Sequence, residues 1–413
     1  MTASAGTEQA LAEAVEEGAD LRGRTILVAH PSAELYGSDR VLLESVAGLV
    51  SAGARAVVSL PSDGPLVAAL TGVGATVQHA PTPVLRKSML RPRGFAALVG
   101  QSVRGLSAGI GLVRRTRPDA VYVNTVTIPL WILVGRLSGR PVLAHVHEAE
   151  GSASRVVGTA LALPLALATR VVANSRYSVD VLGRALPRVA RRAEVVHNGV
   201  PGPAEVTPAR PALDGGLRVL YVGRLSDRKG VDVAVEAIVE LRDRGMQATL
   251  GIVGAVFPGY EAYEEQLRTT IRVLGLDDRI TMHGFHADVT PFVAAADVCV
   301  VPSRVDEPFG NTAVEALLAA RPVVVSDTSG LREAAGGYES AQLVPPSDPA
   351  ALADALQSIA ADWDVYRARA ARDRFRAEHR HGPGLYRQRI ARSVGTMLTP
   401  PRRVGSPRPA STR

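Results

Sequence analysis

The chain has 413 residues, of which 46% are hydrophobic and 21% are charged, and it carries a formal net charge of +7 with a pI near 9.9. This length is sufficient for two domains that each bury a core of their own. Cys299 is the only cysteine, which excludes a disulfide framework and fits a reducing compartment.

The N-terminal segment, residues 1–22, is polar and rich in alanine, and it predicts a frayed helix or disorder. A signal peptide needs a basic and then an apolar run, but acidic residues stand here instead, so we expect a cytoplasmic protein. The longest uncharged apolar stretch, residues 156–169, has fourteen residues and is interrupted by Pro164. It is too short to cross a bilayer. We expect a buried or an interfacial helix, and burial is the favoured interpretation.

The first domain is expected over residues 23–200, where short apolar strands alternate with helices. The strand at 25–29 is followed by a loop and a helix over about 39–52, which is typical of a Rossmann-like half. Further strands are predicted at 55–60, 76–78, 120–124, 141–146, 171–174 and 194–196. These strands are apolar throughout, which indicates a parallel sheet covered on both faces. No G-x-G-x-x-G motif follows the first strand, so a dinucleotide is not the favoured ligand.

A basic stretch within this domain, residues 86–117, contains no acidic residue. Its cations are Arg86, Lys87, Arg91, Arg93, Arg104, Arg114, Arg115 and Arg117. Such a patch can meet the anionic lipid of the inner membrane face or an acidic acceptor. The alternative is a compositional bias toward arginine without any partner. Nucleic acid is not expected, because Phe95 is the only aromatic residue in the stretch and single strands need stacking platforms.

The strand at 141–146 ends in the sequence His145-Val146-His147-Glu148. The two histidines lie two residues apart on a strand and therefore point to the same face. No further ligand is spaced to complete a zinc site, so no metal is expected. A histidine satisfied by hydrogen bonds at a strand end is the alternative to a functional one.

Residues 201–216 are dense in proline and glycine and predict a linker to a second domain at 217–383. The second domain repeats the alternation, with strands at 218–221, 249–253, 280–282, 298–301 and 323–325. The D-x-D pattern at Asp362 and Asp364 opens a late helix, where carboxylates favour the helix dipole, rather than ending a strand. A last helix is expected at 384–398, and residues 399–413 predict a flexible tail.

Two cations follow the first strand of the second domain, in the loop that leads to a helix near Gly230. Arg224 offers a planar fork to phosphate oxygens and Lys229 a point charge, so together they can neutralise a diphosphate. The alternative is a pair of unrelated surface cations. Lys229 and Lys87 are the only lysines in the chain, whose other permanently charged basic residues are all arginines.

Two carboxylates follow the strand at 298–301. Glu307 lies in a loop, the chain turns at Gly310, and Glu315 lies about one turn into the next helix. The free N–H groups at the helix start attract phosphate, whereas the carboxylates repel it and suit hydroxyl groups. A nucleotide-sugar offers both kinds of group in one ligand, although solvated carboxylates are the alternative interpretation.

Taken together, Gly223-Arg224-Leu225, Lys229-Gly230, and Glu307 separated by seven residues from Glu315 resemble the retaining glycosyltransferases of family 4. The resemblance covers about residues 24–392 and is sharpest in the second half. It implies the GT-B fold, in which two Rossmann-like domains face each other across a cleft and the last helix crosses back to the first domain. It also implies transfer of a sugar from a nucleoside diphosphate to the hydroxyl of a glycan, glycolipid or small-molecule acceptor, without a metal or cofactor.

The resemblance also assigns the site residues. The residues implied in catalysis are Arg224, Lys229, Glu307 and His147. The residues implied in donor binding are Gly37, Gly223, Glu315, Phe285, His286, Gly310, Asn311 and Thr312. Gly37-Ser38 stands where the family has a Gly-Gly pair, and Glu148 stands where the family often has Asp. A nucleotide-sugar epimerase and a non-catalytic nucleotide-sugar-binding protein are the alternatives.

Overall fold

A computed structural model describes residues 19–85, 92–148, 158–159 and 162–399, with the side chains of residues 92–98 excepted. The expected disorder of residues 1–18 and of the tail from 400 onward therefore lies outside the described residues. The side chains of Arg86, Lys87, Arg91 and Arg93 in the basic stretch, and most of the first half of the apolar stretch 156–169, also lie outside the described residues. The second half of that apolar stretch forms a 3₁₀ helix in which Leu165 is buried, whereas Leu163 and Leu167 are exposed, so the expected burial is wrong for these two residues.

The first lobe contains a seven-stranded parallel sheet, as the apolar strand pattern predicts. Its strands are β1 (Thr25–Ala29), β2 (Arg55–Leu60), β3 (Thr76–His79), β4 (Ala120–Val123), β5 (Val142–Val146), β6 (Arg170–Ala173) and β7 (Ala193–Val195). Their order in the sheet is β3-β2-β1-β4-β5-β6-β7, so the chain crosses over between β3 and β4. Loops that follow β1 and β4 consequently meet at the carboxyl edge, where open α/β sheets place their ligand crevice.

Helices cover both faces of this sheet. One face is covered by α1 (Gly37–Ser51) and α2 (Pro65–Gly72). The other face is covered by α3 (Pro92–Thr116), α4 (Leu130–Leu137), a 3₁₀ helix (Leu163–Leu167), α5 (Arg176–Ala185) and α6 (Pro187–Ala190). Each face has its own apolar core, which explains why the strands lack an alternating polar pattern.

The second lobe contains a six-stranded parallel sheet in the order β10-β9-β8-β11-β12-β13. Its strands are β8 (Leu217–Val222), β9 (Ala248–Val253), β10 (Ile280–Gly284), β11 (Val298–Val301), β12 (Val323–Ser326) and β13 (Ala341–Val344). Its helices are a 3₁₀ turn (Asp227–Lys229), α7 (Val231–Asp243), α8 (Glu261–Val273), α9 (Thr290–Ala295), α10 (Asn311–Leu318), α11 (Ser329–Ala335), α12 (Pro349–Ala361) and α13 (Trp363–His381). The strand β13 lies at one edge and was not among the predicted strands.

The last helix, α14 (Pro383–Leu398), leaves the second lobe and packs against α1 of the first. Tyr386, Ile390 and Val394 are buried in the core that α1 shares with the sheet. The hydroxyl of Tyr386 also lies 2.6 Å from Oγ of Ser45 on α1. Leu21, only 1% exposed, joins the same core, so ordered structure begins before the predicted domain boundary at residue 23.

The two lobes contact each other at several points around a cleft. Nη2 of Arg40 on α1 donates a hydrogen bond of 2.5 Å to the carbonyl oxygen of Ala287, which follows β10. Glu333 on α11 accepts hydrogen bonds from the backbone N–H groups of Arg176 and Tyr177, at the start of α5. No helix in the described ranges is both long and apolar enough to cross a membrane.

Candidate active site

The two motif loops of the second lobe meet in an ion pair. Lys229, at the end of the 3₁₀ turn, places Nζ 2.5 and 2.7 Å from the two carboxylate oxygens of Glu307. Ser303 donates a further hydrogen bond to Glu307. Burial works to raise the pKa of Glu307, but the charge of Lys229 and the hydrogen bonds from Lys229 and Ser303 together outweigh it and the pKa is lowered, so this carboxyl is ionised. The Lys229 side chain remains 37% exposed and can reach a ligand from the same position.

Gly230 holds these two loops close together. It adopts a left-handed conformation with φ of 63°, between the 3₁₀ turn and α7. A Cβ at this position would lie 2.0 Å from the carbonyl oxygen of Pro302. Any side chain here would therefore push the Lys229 loop away from the loop that carries Glu307.

The start of α10 presents free donors at the boundary between the lobes. The backbone N–H groups of Asn311 and Thr312 have no partner among the described residues, since the first bond of the turn is from Ala313 to Gly310. The side chain of Asn311 accepts a 2.8 Å hydrogen bond from Asn198 of the preceding lobe. The Cβ position of Gly37, also in the first lobe, lies 3.6 Å from Nδ2 of Asn311. This helix start therefore offers an anion site inside the cleft.

Glu315 lies one turn further along α10. Burial raises the pKa of its carboxyl, while the charge of Arg40 across the cleft acts in the opposite direction. The carboxylate makes no hydrogen bond or ion pair with another residue in the part of the chain that the structure describes. Arg40 is engaged by backbone oxygens of Leu35 and Ala287 rather than by Glu315. Glu315 is consequently available to accept hydrogen bonds from hydroxyl groups.

Arg224 makes different contacts from Lys229. Its guanidinium lies over the ring of Tyr36 at 5.2 Å and over the ring of Phe257 at 5.1 Å. The Tyr36 ring also meets Phe285 edge-on, with 6.4 Å between centroids. Tyr36 belongs to the first lobe and the other three residues to the second. Arg224 therefore forms the centre of an aromatic cluster that joins the lobes.

This cluster contains Tyr36 and Phe257, for which the sequence predicts no role. Tyr36 directly precedes Gly37, and that adjacency is a signal that could have found it. Phe257 follows β9 without any motif and carries no such signal. Among the other predicted positions, Gly223 directly follows β8 and donates its N–H to the carbonyl oxygen of Val253. The ring of His286 packs with its centroid 4.6 Å from that of Phe292.

His147 is held in the first lobe by a buried chain of hydrogen bonds. Its Nε2 lies 3.0 Å from Oδ1 of Asn124, and Nδ2 of Asn124 lies 3.2 Å from Nδ1 of His30. Nε2 of His30 lies 2.7 Å from the carboxylate of Asp39, which also accepts from the backbone N–H of Tyr36. The chain thus connects His147 to the loop that enters the cleft.

The protonation of His147 follows from these contacts. Burial, together with the nearby His30, lowers the pKa of His147 to about 3, so the ring is neutral near pH 7. Because the amide oxygen of Asn124 can only accept, Nε2 of His147 carries the proton. Nδ1 is left with a lone pair, and His147 can accept a hydrogen bond from a ligand there.

The other polar residues of this strand end are used internally. The His145 ring lies 3.9 Å from that of His147, and its Nδ1 is 2.7 Å from the hydroxyl of Tyr122. Glu148 binds the hydroxyl of Thr125 and the backbone N–H of Val126, and burial raises its pKa. Within the described ranges, no group of three His, Cys, Asp or Glu side chains is placed to hold a metal ion.

Comparison with known proteins identifies relatives of both lobes. The model of Glycosyltransferase Family 4 matches residues 36–201, and that of Glycosyl transferases group 1 matches residues 216–362. The chain is 31% identical over 335 residues to the 2-deoxystreptamine N-acetyl-D-glucosaminyltransferase of Streptomyces fradiae, covering 73% of this chain and 76% of that protein. It is 30% identical to the glycogen synthase of Mycobacterium tuberculosis, covering 65% of this chain and 67% of that protein.

Solved structures show a similar architecture. The complex of Anabaena Alr3699/HepE with UDP-glucose superposes with a TM-score of 0.76 at 23% identity, covering 90% of this chain and 99% of that chain. The sucrose-phosphate synthase of Thermosynechococcus elongatus gives a TM-score of 0.70 at 21% identity, covering 91% and 98%. At such identities the likeness establishes the fold alone. The GT-B fold expected from the sequence is confirmed.

Proposed function

This chain belongs to the glycosyltransferases of family 4, and on that premise we propose that it moves a sugar from a nucleoside diphosphate to an acceptor hydroxyl with retention at the anomeric carbon. One observation carries the proposal. The ion pair of Lys229 with Glu307, the free start of α10 and the unpartnered Glu315 all belong to the cleft side of the second lobe. Together they offer positive charge for a diphosphate and acceptors for hydroxyl groups.

In the proposed reaction, the bond between the anomeric carbon and the diphosphate oxygen breaks, and a bond to the acceptor oxygen forms. Negative charge grows on the leaving diphosphate, where Lys229, Arg224 and the N–H groups of Asn311 and Thr312 stabilise it. Glu307 binds hydroxyls of the transferred sugar, and Glu315 binds those of the ribose. Phe285 and His286 flank the base, and Gly37 and Gly310 let the backbone approach the phosphates.

The surroundings of Glu307 support attack on the same face that the diphosphate leaves. Lys229 and Ser303 occupy both oxygens of this carboxylate, so it is poorly suited to act as a covalent nucleophile. The leaving diphosphate then takes the proton of the acceptor hydroxyl. No divalent ion is needed in this scheme, because the cations and the helix start supply the positive charge.

The names of similar proteins suggest which substrates to test first. Alr3699/HepE was solved with UDP-glucose, which supports a UDP-sugar as the first donor. Two relatives are named for 2-deoxystreptamine and two for D-inositol 3-phosphate. These names support a polyhydroxylated ring as the first acceptor class, ahead of a glycan.

The proposal is tested by incubating the protein with UDP-, GDP- and ADP-sugars, with and without a cyclitol acceptor and with and without EDTA. We expect one donor to be consumed faster when an acceptor is present, and at the same rate in EDTA. The NMR coupling of the anomeric proton in the product should show the same anomeric configuration as in the donor. An inverted product or a loss of activity in EDTA would contradict the proposed mechanism. An epimerase would convert the donor without acceptor, and a binding protein would hold the nucleotide without releasing product.

A further prediction concerns the hydrogen-bond chain that ends at His147. Replacing Asn124 by leucine removes the acceptor for Nε2–H, so both ring tautomers of His147 become populated. We expect the activation barrier of turnover to rise by about 1–3 kcal/mol, as for a buried group that loses its hydrogen-bond partner. Nitrogen-15 NMR of the labelled histidines would show the mixed tautomers directly.

The control for this prediction is Thr125→Val, at a neighbouring buried residue whose hydroxyl binds Glu148 and lies outside the hydrogen-bond chain of His147. It should leave the His147 ring resonances at their original positions. If Asn124→Leu lowers turnover while the His147 resonances do not change, the hydrogen-bond chain does not set the tautomer.

A further inference from the structure

The positive charge of the protein is concentrated in one part of the first lobe. Residues 64–179 contain thirteen lysine and arginine residues but only three acids. This excess is larger than the net charge of +7 for the whole chain, so the rest of the chain has a small excess of acids. The stretch contains β3 to β6 and the elements α3, α4 and the 3₁₀ helix between them.

These three elements form one layer on one face of the sheet. Residues of all three contribute to the same apolar core, opposite the face covered by α1 and α14. Within the layer α3 lies close to α4, since the Cβ position of Gly105 is 2.8 Å from a methyl group of Leu130. The α4 helix in turn packs against the 3₁₀ helix. The side chains that point away from the sheet therefore share one surface, which we call the basic layer.

The basic layer exposes large apolar side chains on α4 and on the 3₁₀ helix. Leu133 and Leu137 are one turn apart on α4, and Leu163 and Leu167 are four residues apart in the 3₁₀ helix. The exposed fraction of these four leucines lies between 39% and 68%. Water-exposed leucines that recur on adjacent elements are unusual for a surface without a partner.

Unpaired cations accompany these leucines. Arg136 is exposed between Leu133 and Leu137, and α3 contributes exposed Arg104, Arg114 and Arg115. None of these four arginines makes an ion pair with another residue in the part of the chain that the structure describes. By contrast, many arginines of the second lobe are paired, such as Arg244 with Asp354. The basic layer thus combines apolar side chains with positive charge that the protein itself does not neutralise.

We propose that the basic layer docks the enzyme on an anionic lipid bilayer. Arginines meet the phosphate headgroups and the leucines enter the boundary between headgroups and acyl chains, as in amphipathic segments that lie in a membrane surface. Single-stranded nucleic acid fits less well, because Trp131, the aromatic residue of α4, is buried and offers no stacking surface. This docking is independent of which sugar is transferred.

The test is sedimentation of the full chain with vesicles of phosphatidylcholine alone or mixed with phosphatidylglycerol, over a series of salt concentrations. We expect binding to the mixed vesicles only, weakening with salt. The triple variant Arg104→Gln/Arg114→Gln/Arg136→Gln should bind about a hundredfold less, because each cation near an anionic surface contributes roughly fivefold. The variant Leu133→Gln/Leu137→Gln should bind less at every salt concentration.

A matched control carries the same charge change in the second lobe. Arg268, Arg272 and Arg372 are exposed there, and their replacement by glutamine should leave vesicle binding within about twofold, as for distant surface changes. Equal losses in the two triple variants would overturn the assigned surface. The proposal would be overturned if the leucine variant bound vesicles as well as the original protein, or if the protein bound heparin but not vesicles. Either result would show a site for polyanions instead. No binding to either vesicle would also overturn it.

Discussion

Replacing Lys229 by alanine should lower kcat/KM for the donor by about a hundredfold to a thousandfold, the range seen when one preorganised charge-stabilising donor is removed. The ammonium group loses contact with the leaving diphosphate, and Glu307 loses the partner that keeps it ionised despite burial. Release of nucleoside diphosphate, measured together with the melting temperature, checks the expectation. Turnover at the level of the original protein would refute the role of Lys229.

Two further variants separate the possible causes of this loss. Arg228→Ala removes an exposed cation from the adjacent position, and it should change the rate by no more than about twofold, as is usual for surface substitutions. Lys229→Ala/Glu307→Gln removes the unpaired charge that the single variant leaves behind. If the double variant regains most of the activity, Lys229 serves only to neutralise Glu307. If it remains less active than Glu307→Gln alone, the ammonium acts on the substrate.

Replacing Gly230 by alanine should destabilise the protein by about 2–5 kcal/mol. Part of this cost comes from the left-handed backbone conformation, which costs an L-residue with a Cβ about 1–2 kcal/mol. The rest is the overlap of the new methyl group with the carbonyl of Pro302, 2.0 Å away, since overpacking costs about 1–3 kcal/mol. For a lobe of this size we expect a melting temperature lower by roughly 2–4 °C per kcal/mol.

Gly275→Ala is the matched control for this substitution. Gly275 has a φ of 62°, nearly that of Gly230, but its Cβ position has no atom within 4 Å. It should show the backbone cost alone and keep full activity, whereas Gly230→Ala should also lose activity well below its melting temperature, because Lys229 and Glu307 move apart. Equal melting temperatures for the two variants would show that the approach to Pro302 carries no cost.

Much of the architecture is recognisable from the sequence, because buried parallel strands are short apolar runs. The predicted bounds of β1, β2 and β11 agree with the structure, and most other strands differ by one or two residues. The edge strand β13 was missed because its residues, such as Gln342, are only partly buried and interrupt the apolar pattern. Leu21 was assigned to a disordered extension because the polar residues around it hide a single core position.

The site was recognisable in its parts but not in its connections. The motif residues were found by spacing along the chain, which cannot show that Lys229 binds Glu307, 78 residues away. The sequence placed Arg224 beside Lys229, whereas the structure stacks it between Tyr36 and Phe257 from two different loops. Such contacts depend on how the lobes face each other, and neither periodicity nor motif spacing contains that information.

The return of α14 to the first lobe has a consequence for biosynthesis. The surface of α1 formed by Leu42, Val46 and Leu49 shares its core with Tyr386 and Ile390 of the last helix. During translation the first lobe therefore leaves the ribosome with this apolar surface exposed to solvent. The helix that covers it, α14, emerges only after the second lobe has been translated. The lobe that is made first is the one that is finished last, so the nascent protein is exposed to aggregation until translation nears its end.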